Sequence, residues 1–122
     1  VDAETRKVIV AELAAAFGSA TDVTPAEDQP LHVLLSNLNL LAPWQPNPTS
    51  GLARFAGWPD QRPDFWVSIE VSNGSGPPRS SSEQLVLGKP WRQYSASITW
   101  PVEPRTATRA IQLWLNRFAD RT

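Results

Sequence analysis

The chain has 122 residues and a formal net charge of −1, enough for one hydrophobic core but not two, with no basic field for nucleic acid and no polybasic patch for a membrane surface. It contains no cysteine, which excludes a disulfide framework and thiolate chemistry and fits a cytoplasmic protein. No apolar run approaches the roughly 18 residues that spanning a membrane requires, and the N-terminus lacks a signal-peptide layout. Methionine is also absent and the chain opens at Val1, so it reads as a single domain over residues 1–122, excised from a longer protein.

The twelve prolines fall between Pro25 and Pro104, which leaves both ends free to be helical. Residues Glu4–Phe17 carry Ile9, Val10, Leu13, Ala14 and Phe17 at helical spacing, with Asp2 able to cap the first turn and Gly18 as the stop. A polar connection follows from Ser19 to Gln29. Leu31–Leu41 is ambiguous: Leu31, Leu34, Leu35, Leu38 and Leu41 suit a helix, but Ser36, Asn37 and Asn39 are poor interior helix formers.

Beyond it the period becomes two. Leu52 and Phe55 mark a short strand within Gly51–Ala56. Phe65, Val67, Ile69 and Val71 alternate with Trp66, Ser68, Glu70 and Ser72, as expected of a strand with one buried face. Ser72–Ser82, with two glycines, two prolines and a serine triplet, reads as an exposed loop. Tyr94, Ala96, Ile98 and Trp100 alternate again. Pro104 suits a first helical turn, and Ala107, Ile111, Trp114, Leu115 and Phe118 form one stripe of a closing helix. The expected fold is α+β, an antiparallel sheet of three to four strands flanked by an N-terminal and a C-terminal helix.

The segment Gly57-Trp58-Pro59-Asp60-Gln61-Arg62-Pro63-Asp64-Phe65 is the most specific in the chain. Two prolines four apart fix φ and remove two donors, so the segment is a rigid turn, and Gly57 allows backbone angles that a side chain would forbid. It resembles the Tyr-Pro-x-x-Pro-Pro segment of ubiquitin-conjugating enzymes, and more closely the Gly-Tyr-Pro-Asp-x-x-Pro-Asp-x-Phe pattern of a prokaryotic ubiquitin-conjugating-like family. The resemblance runs from about His32 to the C-terminus. It takes in Val33-Leu34-Leu35, Ala42-Pro43-Trp44, Pro48-Thr49 through Phe55, Gly88 to Ser95, and Trp100-Pro101. It implies a strand over Leu31–Leu41 and the ubiquitin-conjugating-like fold. Trp58 stands where the family has tyrosine, the last proline of the doublet is missing, and Ser72–Trp91 holds no cysteine. Conjugating activity is therefore not carried over. What the resemblance implies is a non-catalytic domain used for protein–protein contact in a prokaryotic modification or defence system, with a ubiquitin-like protein or another domain of the same chain as partner.

The chemistry-bearing residues point the same way. A thioester needs a thiolate, and a serine hydroxyl needs a positioned base to replace it. Ser80, Ser81, Ser82 and Ser95 supply hydroxyls, but His32 is the sole histidine, and no nucleophile-elbow pattern surrounds any serine. A triad of a serine, His32 and Asp60 or Asp64 defines the rival reading, a small hydrolase or transferase with a serine or acid centre. An immunity or phage structural protein of similar layout is a third. Metal-ligand spacing and a phosphate-cradling loop are missing, so no metal or cofactor is expected. Trp100 and Trp114 lie on apolar stripes and read as core. Trp44 and Trp58 sit in proline-flanked turns, and Trp66 falls on the polar side of its strand. With Arg62 these three form a candidate partner surface, since tryptophan and arginine are enriched at binding hot spots. The alternative for Trp66 is cover by a loop or by the N-terminal helix.

Overall fold

The computed structural model describes residues 2–94, 100 and 105–117. Two helices and six strands follow in the order α1 (Ala3–Phe17), β1 (Thr21–Asp22), β2 (Leu31–Leu38), β3 (Thr49–Phe55), β4 (Asp64–Val67), β5 (Ser81–Val86), β6 (Lys89–Tyr94) and α2 (Ala107–Asn116). Every pairing is antiparallel, in the spatial order β1-β2-β3-β4-β6-β5. The α+β antiparallel class is as expected, but the sheet has six strands rather than three to four. Strand β1 is only two residues long, β5 overlaps the loop read over Ser72–Ser82 only at Ser81 and Ser82, and β6 meets the strand expected over Tyr94–Trp100 only at Tyr94, residues 95–99 lying outside the described ones.

Both helices start on a side-chain cap. Asp2 accepts from the Thr5 amide at 2.8 Å, and Gly18 ends α1 in the left-handed region at φ 84°. For α2 the cap is Thr106, whose hydroxyl accepts from the Arg109 amide, so the helix begins at Ala107. Glu12 of α1 accepts from the Thr108 amide at 2.6 Å, tying the exposed N-terminus of α2 to α1. Ile98, Pro104 and Phe118, assigned from sequence to the last strand and helix, lie outside the described residues.

One face of the sheet carries the main core. Ile9 and Leu13 of α1 and Ala107, Ile111 and Trp114 of α2 pack with Leu31, Val33, Leu35, Phe55, Phe65, Val67 and Tyr94. Strand β2 explains the ambiguous leucines. Leu31, Val33 and Leu35 pair with Phe55, Ala53 and Gly51, then the register shifts before Leu38 meets Thr49. The bulge leaves Ser36 and Asn37 exposed together and returns Leu38 to the buried face. A strand with one irregularity thus mimics helical spacing.

The predicted alternation over Phe65–Val71 ends early. Strand β4 stops at Val67, and the Val71 amide bonds the Ser68 carbonyl at 3.1 Å in a turn. Val71 is buried by that turn, while Ile69 is 39% exposed, contrary to the expectation of a buried Ile69.

Candidate functional site

The four residues of the expected partner surface do not form one surface. Trp44 is 1% exposed and belongs to the main core. Its loop is closed by Asn47, whose side-chain amide both accepts from the Leu40 N–H at 3.0 Å and donates to the Leu40 carbonyl at 3.1 Å. The Gln45–Ser72 bridge holds the same loop against the start of the next one. Trp58 is half-buried, edge-on to Phe55 at 5.3 Å and tilted against Trp100 at 5.5 Å. Arg62 is exposed, but its guanidinium lies over the Trp114 ring at 5.4 Å. Trp66 is 3% exposed.

The proline turn is anchored to the C-terminal part of the chain through its carbonyls. Trp100 Nε1 and Arg105 Nη1 both donate to the Pro59 oxygen, at 3.0 and 3.3 Å, and Trp114 Nε1 donates to the Pro63 oxygen. Gly57 has φ 75°, and the Gln61 amide bonds its carbonyl at 2.9 Å. The Trp58–Pro59 bond is cis. These contacts make the turn part of the scaffold, with Trp58 turned inward.

Trp66 is covered because the second face of the sheet has its own core. Register places Leu34, Leu52 and Trp66 in one row across β2, β3 and β4. Leu52, Trp66 and Trp91 are buried there, with Val23, Leu34 and Val86 packed around them. The cover is neither a loop nor α1, as the sequence suggested, but the β5–β6 hairpin and a neighbouring arginine. The Trp66 indole N–H donates to Gln84 at 3.1 Å, Gln84 donates to Gln93 at 3.0 Å, and the Arg54 guanidinium sits 5.4 Å from the ring centre. Sequence reading missed Leu34 and Leu52 as its partners, since they share a row only once the strands are paired.

Beside this cluster lies a groove of about 480 Å³ whose lining includes His32, Arg54, Asp64, Trp66, Gln84 and Gln93. His32, Arg54 and Asp64 form the next row of the sheet. Arg54 Nε and Nη2 both donate to Asp64 Oδ2, at 3.0 and 2.6 Å. His32 is 5% exposed, and Nδ1 bonds the Pro30 carbonyl at 2.8 Å. A carbonyl only accepts, so Nδ1 carries the proton and Nε2 is the nitrogen left for a ligand. The groove thus holds an imidazole and an aspartate, as a serine triad would need, but no serine among the described residues lines it and Asp64 is engaged by Arg54 rather than by His32. Asp60 does not line it either. Ser81 donates its hydroxyl to the Pro78 carbonyl and accepts from Arg92 Nη1. The arrangement can hold a polar group but presents no activated nucleophile among the described residues.

Elsewhere on the surface, a groove of about 430 Å³ lies between the ends of α1 and α2 and the Asn37–Leu41 segment, and Val8 and Leu41 are exposed. A wider groove of about 1000 Å³ runs between α1 and the Asp22–Glu27 segment. The β5–β6 hairpin exposes Leu85 at 78% and Leu87 at 42%. Among the described residues no cluster of three His, Cys, Asp or Glu side chains could hold a metal ion, and no helix is long and apolar enough to cross a membrane. No protein-family model matches the chain, and no curated protein or solved structure is significantly similar to it.

Proposed function

We propose that the chain is a non-catalytic domain of ubiquitin-conjugating-like type that works by protein–protein contact in a prokaryotic modification or defence system. The observation that carries the reading is the β5–β6 hairpin, which ends the sheet and holds two leucines in water. Exposed aliphatic side chains on an open strand edge are a contact surface rather than a catalytic one. The order of helix, antiparallel β1–β4 meander and closing helix supports the family likeness. The chemistry supports it too, since no thiol exists in the chain and no described residue lining the sheet-face groove offers a serine or threonine hydroxyl.

The test is to incubate the domain with a charged activating enzyme and a ubiquitin-like protein. No covalent adduct is expected, while a non-covalent complex should be recoverable with a partner from the same system. An adduct that resists thiols but is cleaved by hydroxylamine or alkali would be a serine ester, and would establish a catalyst instead.

A further inference from the structure

We infer that the free edge of β5 is a docking site for an extended segment of another protein, one that carries a basic residue within an alternating apolar pattern. This names the partner chemistry for the contact role proposed above and rests on that reading. The two sheet edges differ. At one end β1 is two residues long, too short to template a strand. At the other, β5 runs six residues in unbroken register with β6, from Ser81 opposite Tyr94 to Val86 opposite Lys89. Being terminal in the strand order of the described residues, β5 directs its second row of backbone N–H and C=O groups away from those strands. Natural edges are protected by proline, lysine, a bulge or extreme shortness. Strand β5, Ser-Ser-Glu-Gln-Leu-Val, has no proline, lysine or bulge; its one charged side chain is Glu83, which would repel an acidic strand and select a basic one.

Its side chains define the occupant. Glu83 and Leu85 stand opposite Arg92 and Pro90, so they share one face of the edge. Leu85 is 78% exposed, and Glu83 is exposed and makes no ion pair among the described residues. At the hairpin tip Leu87 has φ 53° and Gly88 φ 78°, the pair of left-handed positions of a two-residue turn. Asparagine or glycine adopts the first of these readily, whereas leucine does so under strain. The strain holds an apolar side chain in water, which supports a role in contact rather than in folding. An added strand places alternate side chains on this face, an aliphatic one against Leu85 and a cation against Glu83. A second copy of β5 fits poorly, because it carries no basic residue to face Glu83.

The experiment is selection of random linear peptides, displayed on phage, against the intact domain. Enriched peptides should alternate apolar residues around a Lys or Arg, and N-methylation of alternate backbone amides should abolish binding. Glu83→Lys should weaken them by about 10-fold or more, as expected for like charges in contact, and a Lys→Glu swap in the peptide should restore binding. Thermal unfolding of the variant like that of the parent establishes that the fold is intact. Peptides that bind but ignore both Glu83→Lys and N-methylation would overturn the edge site while leaving the contact function standing. Failure to enrich any peptide, or self-association through β5, overturns the inference as well.

Discussion

Trp114 Nε1 donates to the Pro63 carbonyl at 3.0 Å across 51 residues of chain, joining the last helix to the proline turn in a buried contact. The same residue accepts at its backbone carbonyl from the Tyr94 hydroxyl and meets the Tyr94 ring edge-on at 5.5 Å. Proline carbonyls accept but the ring nitrogen cannot donate, so the turn depends on donors from elsewhere, and indoles supply two of them.

Trp114→Ala is therefore expected to destabilise the domain by about 3–5 kcal/mol, the range for truncating a buried large aromatic. Chemical denaturation measures it. A midpoint close to that of the parent would show that Trp114 is not at the junction of core and turn.

Trp66→Ser should act on stability and leave partner binding intact. The substitution empties the second core between Leu52 and Trp91 and removes the donor to Gln84, for a loss of about 3 kcal/mol or more. Unfolding and binding measured on one sample decide the matter, since weakened binding at unchanged stability would return Trp66 to a partner surface.

Gly57→Ala is predicted to lower stability by about 1–2 kcal/mol through left-handed backbone strain. At φ 75° an added Cβ would also lie 2.9 Å from Gln61 Oε1, so Gln61 must shift. A thermal midpoint equal to that of the parent contradicts this prediction.

Leu87→Asn has the opposite sign. Asparagine visits the left-handed region readily, so the hairpin should gain about 0.5–1 kcal/mol. A stability gain accompanied by weaker peptide binding is the expected pair of results, and a loss of stability would mean that Leu87 packs against its own chain.

The α1 cap should fail in acid. The Thr5 amide bonded to Asp2 holds that carboxyl below its usual pKa. A pKa lowered in the folded state means the cap contributes fully above the ordinary aspartate range and is lost as pH falls through the lowered value. Amide exchange at Thr5 should accelerate over that interval, and Asp2→Asn, which caps without titrating, should remove the acid dependence. Exchange with the same pH profile in both proteins would exclude the cap as its cause.

The sequence by itself determined the helices and the chemical limits. Asp2, Gly18 and the stripe from Ala107 to Trp114 act within a few residues, so their physics is readable along the chain. The absence of cysteine likewise bounds the chemistry without a structure. What the tertiary structure decided was every property that depends on strand pairing. The bulge in β2 disguised a strand as helical spacing, because a register shift is a relation between two strands. Trp66 falls on the polar side of its strand with Ser68 and Glu70, which leaves partner contact and cover by its own chain equally readable from the sequence; its real neighbours are Leu52 on the next strand and Gln84, 18 residues away. Trp44 became core through an asparagine clamp that no periodicity signals. The same holds for the His32, Arg54 and Asp64 row and for the open edge at β5: they arise only when the sheet sets strands in order, since hydrogen bonding between strands, unlike helix formation, brings together residues far apart in the chain.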